Sequence, residues 1–300
     1  LIHVNFLEKE GLHLCAMLSL KNKDMDVMKK AVVEGYGQIA RRAPKKSPFN
    51  LFTCCSPSEA ATQISQKIGY TAEAMQSVPD GANMGIGCGN PLAFTELKPG
   101  DVLVDLGSGA GFDCFLAAPL VGASGKVVGI DITPEMVDRA TERAKKGPYR
   151  HVTFMLGDIE QLPLQDSFAD RIISNCVINL SNNKTAVFSE AFRVLKSGGH
   201  LMISDIVLLE ELPAKIQHSV QGHIACISGA ILLDQYLDVV QAAGFEDIKI
   251  VKQANFPIEL MLHDPIARQI IRDLQLAQTE IEQIAASITS LSLSAKKPGI

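Results

Sequence analysis

The 300 residues carry a net charge of −5 and are 47% hydrophobic, enough to bury one large core or two modest ones. That balance argues against nucleic acid or an anionic membrane as the main partner. No run of 18 apolar residues is present to cross a bilayer, and Glu8, Lys9 and Glu10 break the first apolar stretch, so no signal peptide is read there. The expectation is a cytoplasmic monomer with reduced thiols and with no nucleic-acid or membrane partner. Its seven cysteines, at 15, 54, 55, 88, 114, 176 and 226, show neither disulfide-framework nor zinc-finger spacing.

The sequence opens on Leu1, and the first plausible start is Met25, so residues 1–24 are read as an appended or misannotated leader. From Met25, MDVMKKAVVEGYGQIARR has an amphipathic pattern, and ARRAPKKSP around Arg41 to Lys46 reads as a proline-broken, solvated linker. At 56–59, SPSE is a helix start: Ser56 can cap, Pro57 suits the first turn and Glu59 completes a capping box. That helix is expected to reach Gly69, and Thr71 opens a short one ending near Pro79. GANMGIGCGNP (81–91) has the composition of a loop.

Beyond Asp101 strands and helices alternate. VLVDL (102–106), KVVGI (126–130), VTFML (152–156), RIIS (171–174), HLMISDIV (200–207) and FEDIKIV (245–251) are expected strands. FDCFLAAPLV, the segment from Thr133 and Pro134 to about Lys146, Lys184–Leu195 and Asp234–Ala243 are expected helices. Ile266 to Ile288 has helical apolar spacing and reads as a covering helix. Such alternation predicts an α/β fold with a mostly parallel, doubly wound sheet and helices on both faces. Ligands in such folds bind at the carboxyl ends of the strands, near the topological switch point.

VDLGSGAGFDC places Asp105, Gly107, Gly109 and Gly111 at the end of the first strand, where glycines let the backbone approach a ligand. A dinucleotide pattern would want a small residue where Phe112 stands. Asp105 also suits a cationic ligand better than a pyrophosphate. Asp131 follows Gly109 by 22 residues, the place of an acid that grips ribose hydroxyls. Asp158, in GDIEQLP, could accept from an adenine amine. An adenosyl ligand with a cationic tail and no phosphate describes S-adenosylmethionine. The bland alternative makes these three acids helix caps.

ISNCVINL (173–180) is an apolar run broken by Asn175, Cys176 and Asn179. Alone, Cys176 reads as packing, since free cysteine behaves as a small hydrophobe. Neither this run nor GANMGIGCGNP contains His, Lys, Asp or Glu, so neither offers the general base that an oxygen or nitrogen nucleophile needs. They offer thiols. Soft thiolates suit a thiophilic centre rather than a hard one.

Over roughly residues 53–251 the chain resembles the class I S-adenosylmethionine-dependent methyltransferases, and more closely the arsenite S-adenosylmethionine methyltransferases. The resemblance is carried by CC at 54–55, GANMGIGCGNP, VDLGSGAGFDC, GIDITPEM, GDIEQLP, ISNCVINL, FRVLKSGG and the Cys226 stretch. It implies a Rossmann-like methyltransferase sheet with a last antiparallel strand. The implied parts are a leader and linker (1–52), a helical arm with cysteine-bearing loops (53–95), a cofactor-binding core (96–207), a substrate-side insert and sheet completion (208–256) and a C-terminal helical extension (257–300). Ser108, Ile132, Met136, Ile159 and Asn175 join the acids and glycines above as cofactor-binding residues. The resemblance assigns arsenic to Cys88, Cys176 and Cys226, with one of Cys54 and Cys55 working with Cys88 as ligand or in a disulfide. A structural or adventitious metal role for that pair stays open.

Cys114 is read as core and Cys15 has no role. His223 could depress a thiol pKa, although a lone helical histidine is more often solvent-facing. The implied activity is methylation of arsenite, then methylarsenite, for arsenic detoxification, with an external thiol reductant of thioredoxin or glutathione type. The competing readings are a methyltransferase for a small organic carbon, nitrogen or oxygen centre and, further off, a non-enzymatic thiol-based arsenic or metal sensor.

Overall fold

The computed structural model describes residues 27–41, 57–213, 226–255 and 275–299, with 216, 222–223, 268 and 271–273. Cys15, Cys54, Cys55, the leader 1–24, the Ser56 cap and the linker 42–56 lie outside the described residues.

Residues 27–41 form helix α1. Helices α2 (Pro57–Lys67) and α3 (Ala72–Gln76) follow, and Thr71 caps α3 by accepting from Ala74 N at 3.2 Å. The alternating core comprises β1 (Val102–Leu106), α4 (Phe112–Val121), β2 (Lys126–Asp131), α5 (Pro134–Lys146), β3 (Val152–Leu156), β4 (Ala169–Asn175), α6 (Lys184–Val194) and β5 (Leu195–Leu208). Then come α7 (Leu233–Ala242), β6 (Glu246–Asn255), α8 (Gln278–Ser287) and β7 (Ile288–Lys296).

The sheet runs β3-β2-β1-β4-β5-β7-β6. The five strands β1 to β5 are parallel to one another, whereas β7 pairs antiparallel to both β5 and β6. After β1 the chain builds outward through β2 and β3, then returns to lay β4 on the other side of β1. The switch point therefore falls between β1 and β4, at Gly107 and Cys176.

Alternation along each strand divides the core in two. Val104 and Leu106 of β1 and Val128 and Ile130 of β2 face α6 and α7 and pack with Phe188 and Tyr236. Leu103 and Val127 face the opposite way, against Phe115 and Ala118 of α4 and Ala140 of α5. A parallel strand buried on both faces reads as a continuous apolar run, which is why VLVDL, KVVGI and RIIS were visible in the sequence. Edge strand β6 is largely exposed and carries Lys249 and Lys252, charges that discourage edge-to-edge pairing.

Two expectations are corrected. The segment 257–300 is not wholly helical: among its described residues α8 is followed by β7, whose Ile288, Leu291, Leu293 and Ala295 are buried. The part read as leader and linker contains α1, which packs on the core. Arg41 pairs with Glu135, and Arg139 donates to the Ala40 carbonyl. Among the described residues no helix is long and apolar enough to cross a membrane.

Leu291 sits at 0% exposure between β5 and β6. Leu291→Ala should cost about 2–5 kcal/mol, the range for a large-to-small change in a packed core. Chemical denaturation should show the midpoint falling at unchanged slope. A change below about 0.5 kcal/mol would mean that β7 does not complete the sheet.

Candidate active site

A cleft opens at the switch point, lined by the ends of β1, β2 and β4, the 82–87 loop and one face of α1. At Gly107 φ is 70°, and a Cβ there would fall 2.4 Å from Val177, so only glycine lets β1 turn beneath the loop that follows β4. Gly111 closes the turn and starts α4 from a left-handed conformation. Asp131 ties this loop to β2: its carboxylate accepts from Gly109 N and Thr133 N, both at 2.8 Å.

Asp105, Asp113, Asp131, Asp158 and Glu160 all line the cleft. Among the described residues its one cation is Lys29 of α1, whose ammonium lies 2.7 Å from Asp158 and 2.6 Å from Glu160. Residues 29, 32 and 36 share a face of α1, so the helix carrying Lys29 also brings Val32 and Tyr36 to the cleft wall. Burial pushes Asp105, Asp113 and Asp131 above the usual carboxylate range, and for Asp105 the charge of Asp113 adds to it. A cation in the cleft would relieve that stress.

Of the expected cofactor residues, Asp105, Gly107, Ser108, Gly109, Asp131, Ile132, Asp158, Ile159 and Asn175 line the cleft. Ser108 Oγ is buried with no partner. Met136 and Gly111 do not line it. Met136 is fully buried against Ala40 and Ala110, because the first turn of α5 points it under the glycine loop. Asn175 does more than line the wall. Its Oδ1 accepts from Cys88 N at 3.1 Å and Gly89 N at 3.4 Å, and its Nδ2 lies within hydrogen-bond distance of Gly89 O, Tyr70 Oη and Asp113.

The three cysteines converge. Cys176 lines the cleft, with Cys88 and Cys226 buried behind it in one apolar cluster. Cys176 and Cys226 adopt left-handed backbone conformations (φ 59° and 61°), uncommon for non-glycine residues and frequent where a functional side chain must be aimed. Cys226 Sγ donates to Cys176 O at 3.1 Å and Cys88 Sγ to Ser204 O at 3.4 Å. Tyr36 Oη of α1 stands 3.8 Å from Cys226 Sγ.

These are thiols, not thiolates. Burial pushes Cys88 up to about 11. For Cys176 the hydrogen bond with Cys226 pulls down, but that with Cys88 and burial outweigh it, and Cys226 is raised by Cys176 and then by burial. His223 offers no counter-charge. It is buried rather than solvent-facing, with Nε2 3.0 Å from Leu180 O, and burial lowers its pKa, leaving it neutral. Cys114 is core, as expected, yet its Sγ also donates to Asp105 at 3.3 Å.

Sequence reasoning passed over Asp205, Asp113 and Tyr70. Asp205 is fully buried in β5, and Asn179 Nδ2, Ile206 N and Tyr236 Oη donate to it at 3.0, 2.9 and 3.2 Å. Tyr70 Oη donates to Asp113 at 2.6 Å. Asp205 interrupts HLMISDIV as Cys176 interrupts ISNCVINL, and that signal could have found it.

The fold and the acidic, glycine-walled cleft at the switch point define the class I methyltransferase fold. The family profile described as "Methyltransferase domain" matches residues 97–255, just over half of the chain, and the chain belongs to that family. It is 45% identical over 197 residues to an arsenite methyltransferase of Halobacterium salinarum, covering 66% of this chain and 50% of that protein. With the human arsenite methyltransferase it shares 33% over 228 residues, 73% of this chain and 58% of that one. The chain thus spans little more than half the length of these relatives. An arsenic(III) S-adenosylmethionine methyltransferase from Chlamydomonas reinhardtii superposes with a TM-score of 0.57 at 28% identity, covering 82% of this chain and 75% of that one. The [4+2]-cyclase SpnF reaches 0.55 at 18% identity over 90% and 94% of the two chains, a likeness of fold alone.

Burial raises Asp205 from 3.8 to about 6. Its contribution to stability is therefore full below about pH 3.8 and is lost as pH rises through about 6, by up to about 3 kcal/mol. Urea denaturation below and above that window should show Asp205→Asn losing less stability across it than the unaltered protein. Parallel pH profiles for the two would mean that Asp205 is not a strained acid.

Proposed function

We propose that this protein transfers the methyl group of S-adenosylmethionine to trivalent arsenic held by Cys88, Cys176 and Cys226, with one of Cys54 and Cys55 as an N-terminal partner. The observation that carries the reading is the meeting of three buried thiols, from three separate loops, at the end of an acidic cleft. Relatives named arsenite methyltransferase support it.

The cleft fits the cofactor. Five carboxylates against one already paired ammonium favour a cation and oppose a pyrophosphate, and the unpartnered Ser108 Oγ awaits a polar ligand. Asp131 would hold the ribose hydroxyls and Asp105 the cationic tail. S-adenosylmethionine, when bound, supplies a methyl made electrophilic by its sulfonium.

The rest falls to the chain's own residues. Arsenite exchanges oxygen for sulfur, and each thiol proton departs with a hydroxide as water. Neutral thiols therefore suffice for capture, in keeping with their raised pKa values. Three sulfurs leave the arsenic lone pair free and unprotonated, so no general base is needed. Asp205 is not among the residues lining the cleft, and Lys184, drawn to Ser181 O and Gly229 O, is engaged elsewhere. Methylation carries arsenic formally from the trivalent to the pentavalent state. A further round needs two electrons, which an external dithiol supplies as it becomes a disulfide.

Ligand counting generates the test. Arsenite offers three exchangeable positions and methylarsenite two. Cys176→Ser and Cys226→Ser should abolish methylation of both while cofactor binding persists, since serine is a hard oxygen donor with weak affinity for arsenic. Cys88→Ser should lose activity on arsenite and keep it on methylarsenite. Product speciation for each variant checks this. Robust arsenite methylation by Cys176→Ser would sink the reading and favour a small organic substrate.

A further inference from the structure

Beside Cys176 the structure gathers one more donor than trivalent arsenic uses. Cys88 Sγ, Cys176 Sγ and a carboxylate oxygen of Asp205 all lie within 4.8 Å of one another, and all three residues are buried. The Cys226 thiol adjoins them through its hydrogen bond with Cys176. Pyramidal arsenic takes three sulfurs and reserves its fourth direction for the lone pair. A divalent d10 cation has no such lone pair and takes four donors in a tetrahedron, thiolate and carboxylate among them.

We propose that Cys88, Cys176, Cys226 and Asp205 form a tetrahedral site for a thiophilic divalent cation of the zinc or cadmium class, which blocks arsenical capture by occupying its thiols. With metal–sulfur bonds of about 2.3 Å and metal–oxygen bonds of about 2.0 Å, tetrahedral donors stand roughly 3.5–3.8 Å apart. Among Cys88, Cys176 and Asp205 the present spacing needs to tighten by about 1 Å, and the Cys226 thiol, now donating to Cys176 O at 3.1 Å, has to turn from that carbonyl to join them. Asp205 is oriented for the task by Asn179, Ile206 N and Tyr236, as outer-shell partners orient a ligating carboxylate. Lys184, whose charge acts on Asp205, offsets part of the negative charge of the ligand set. Each ligating thiol gives its proton to solvent, three per cation, with a fourth from Asp205 wherever it starts protonated.

Cation binding stands independently of the arsenical reading, because the same four donors would bind a cation whatever the substrate, whereas the block on arsenical capture rests on that reading. The test is titration of the reduced full chain with cadmium, followed by the ultraviolet sulfur-to-cadmium charge-transfer band and by X-ray absorption at the cadmium edge. Phenylarsine oxide serves as competitor. We expect one tightly held cadmium with three sulfur neighbours and one oxygen neighbour, displaced by phenylarsine oxide and lost in Cys176→Ser. Asp205→Asn should weaken cadmium binding at least ten-fold more than it weakens phenylarsine oxide binding. An all-sulfur shell, an affinity untouched by Asp205→Asn, or full occupancy in Cys176→Ser would overturn the proposal. Should Asp205→Asn fail to fold, the shell measured on the unaltered chain decides alone. Cadmium bound as expected with no binding of phenylarsine oxide would uphold the cation site and sink the arsenical one.

Discussion

One amide holds the site together. Asn175 ends β4 and is the fastening between the sheet and the loop that carries Cys88, accepting from two successive backbone N–H groups of that loop. The approach is so close that a Cβ at Gly87 would fall 2.8 Å from Asn175 Nδ2. Through Asp113 and Tyr70 the same side chain reaches the start of α4 and the turn between α2 and α3. Cys176 is the next residue, and its N–H donates to Ser204 O of β5 at 2.8 Å. Two of the three thiols are thus set by consecutive residues at the carboxyl end of one strand, and Asp113 of the cleft shares their hydrogen-bond network.

The site is electrostatically poised. Burial raises the proton affinity of Asp105, Asp113 and Asp131, and the mutual contacts of the thiols together with burial raise that of Cys176 and Cys226. The proposed ligands would relieve both strains, a cation among the acids and a thiophilic atom among the sulfurs. Helix α1 spans the two halves, with Lys29 against Asp158 and Glu160 at one end and Tyr36 against Cys226 at the other. A ligand in either half meets the same helix.

The parallel core was legible because strands buried on both faces appear as unbroken apolar runs, and because glycines and acids fall at their ends. Strand β7 was missed although ITSLSLSAK alternates with period two, since the helical spacing before it extended the reading through Ile288 and its serines weakened the apolar signal. Asp205 and Asp113 stood in quoted motifs as polar breaks in apolar surroundings, the same signal that singled out Cys176. Lys29 and Tyr36 left no such trace. They reach Asp158 and Cys226 across 129 and 190 residues of sequence, a convergence that only the fold creates. His223 was misjudged because its burial depends on packing beneath Leu180, invisible from its own neighbours. The cyclase that shares this fold makes the same point from the other side: the sheet positions a cleft, and the residues at its rim decide the chemistry.

The most direct measurement is X-ray absorption at the arsenic edge of the reduced full chain carrying one equivalent of arsenite. Three sulfur neighbours and no oxygen are expected, with an oxygen entering the shell in Cys176→Ser. Arsenic that keeps oxygen neighbours in the unaltered protein, or a three-sulfur shell that survives Cys176→Ser, would contradict the convergence of these thiols on one substrate atom.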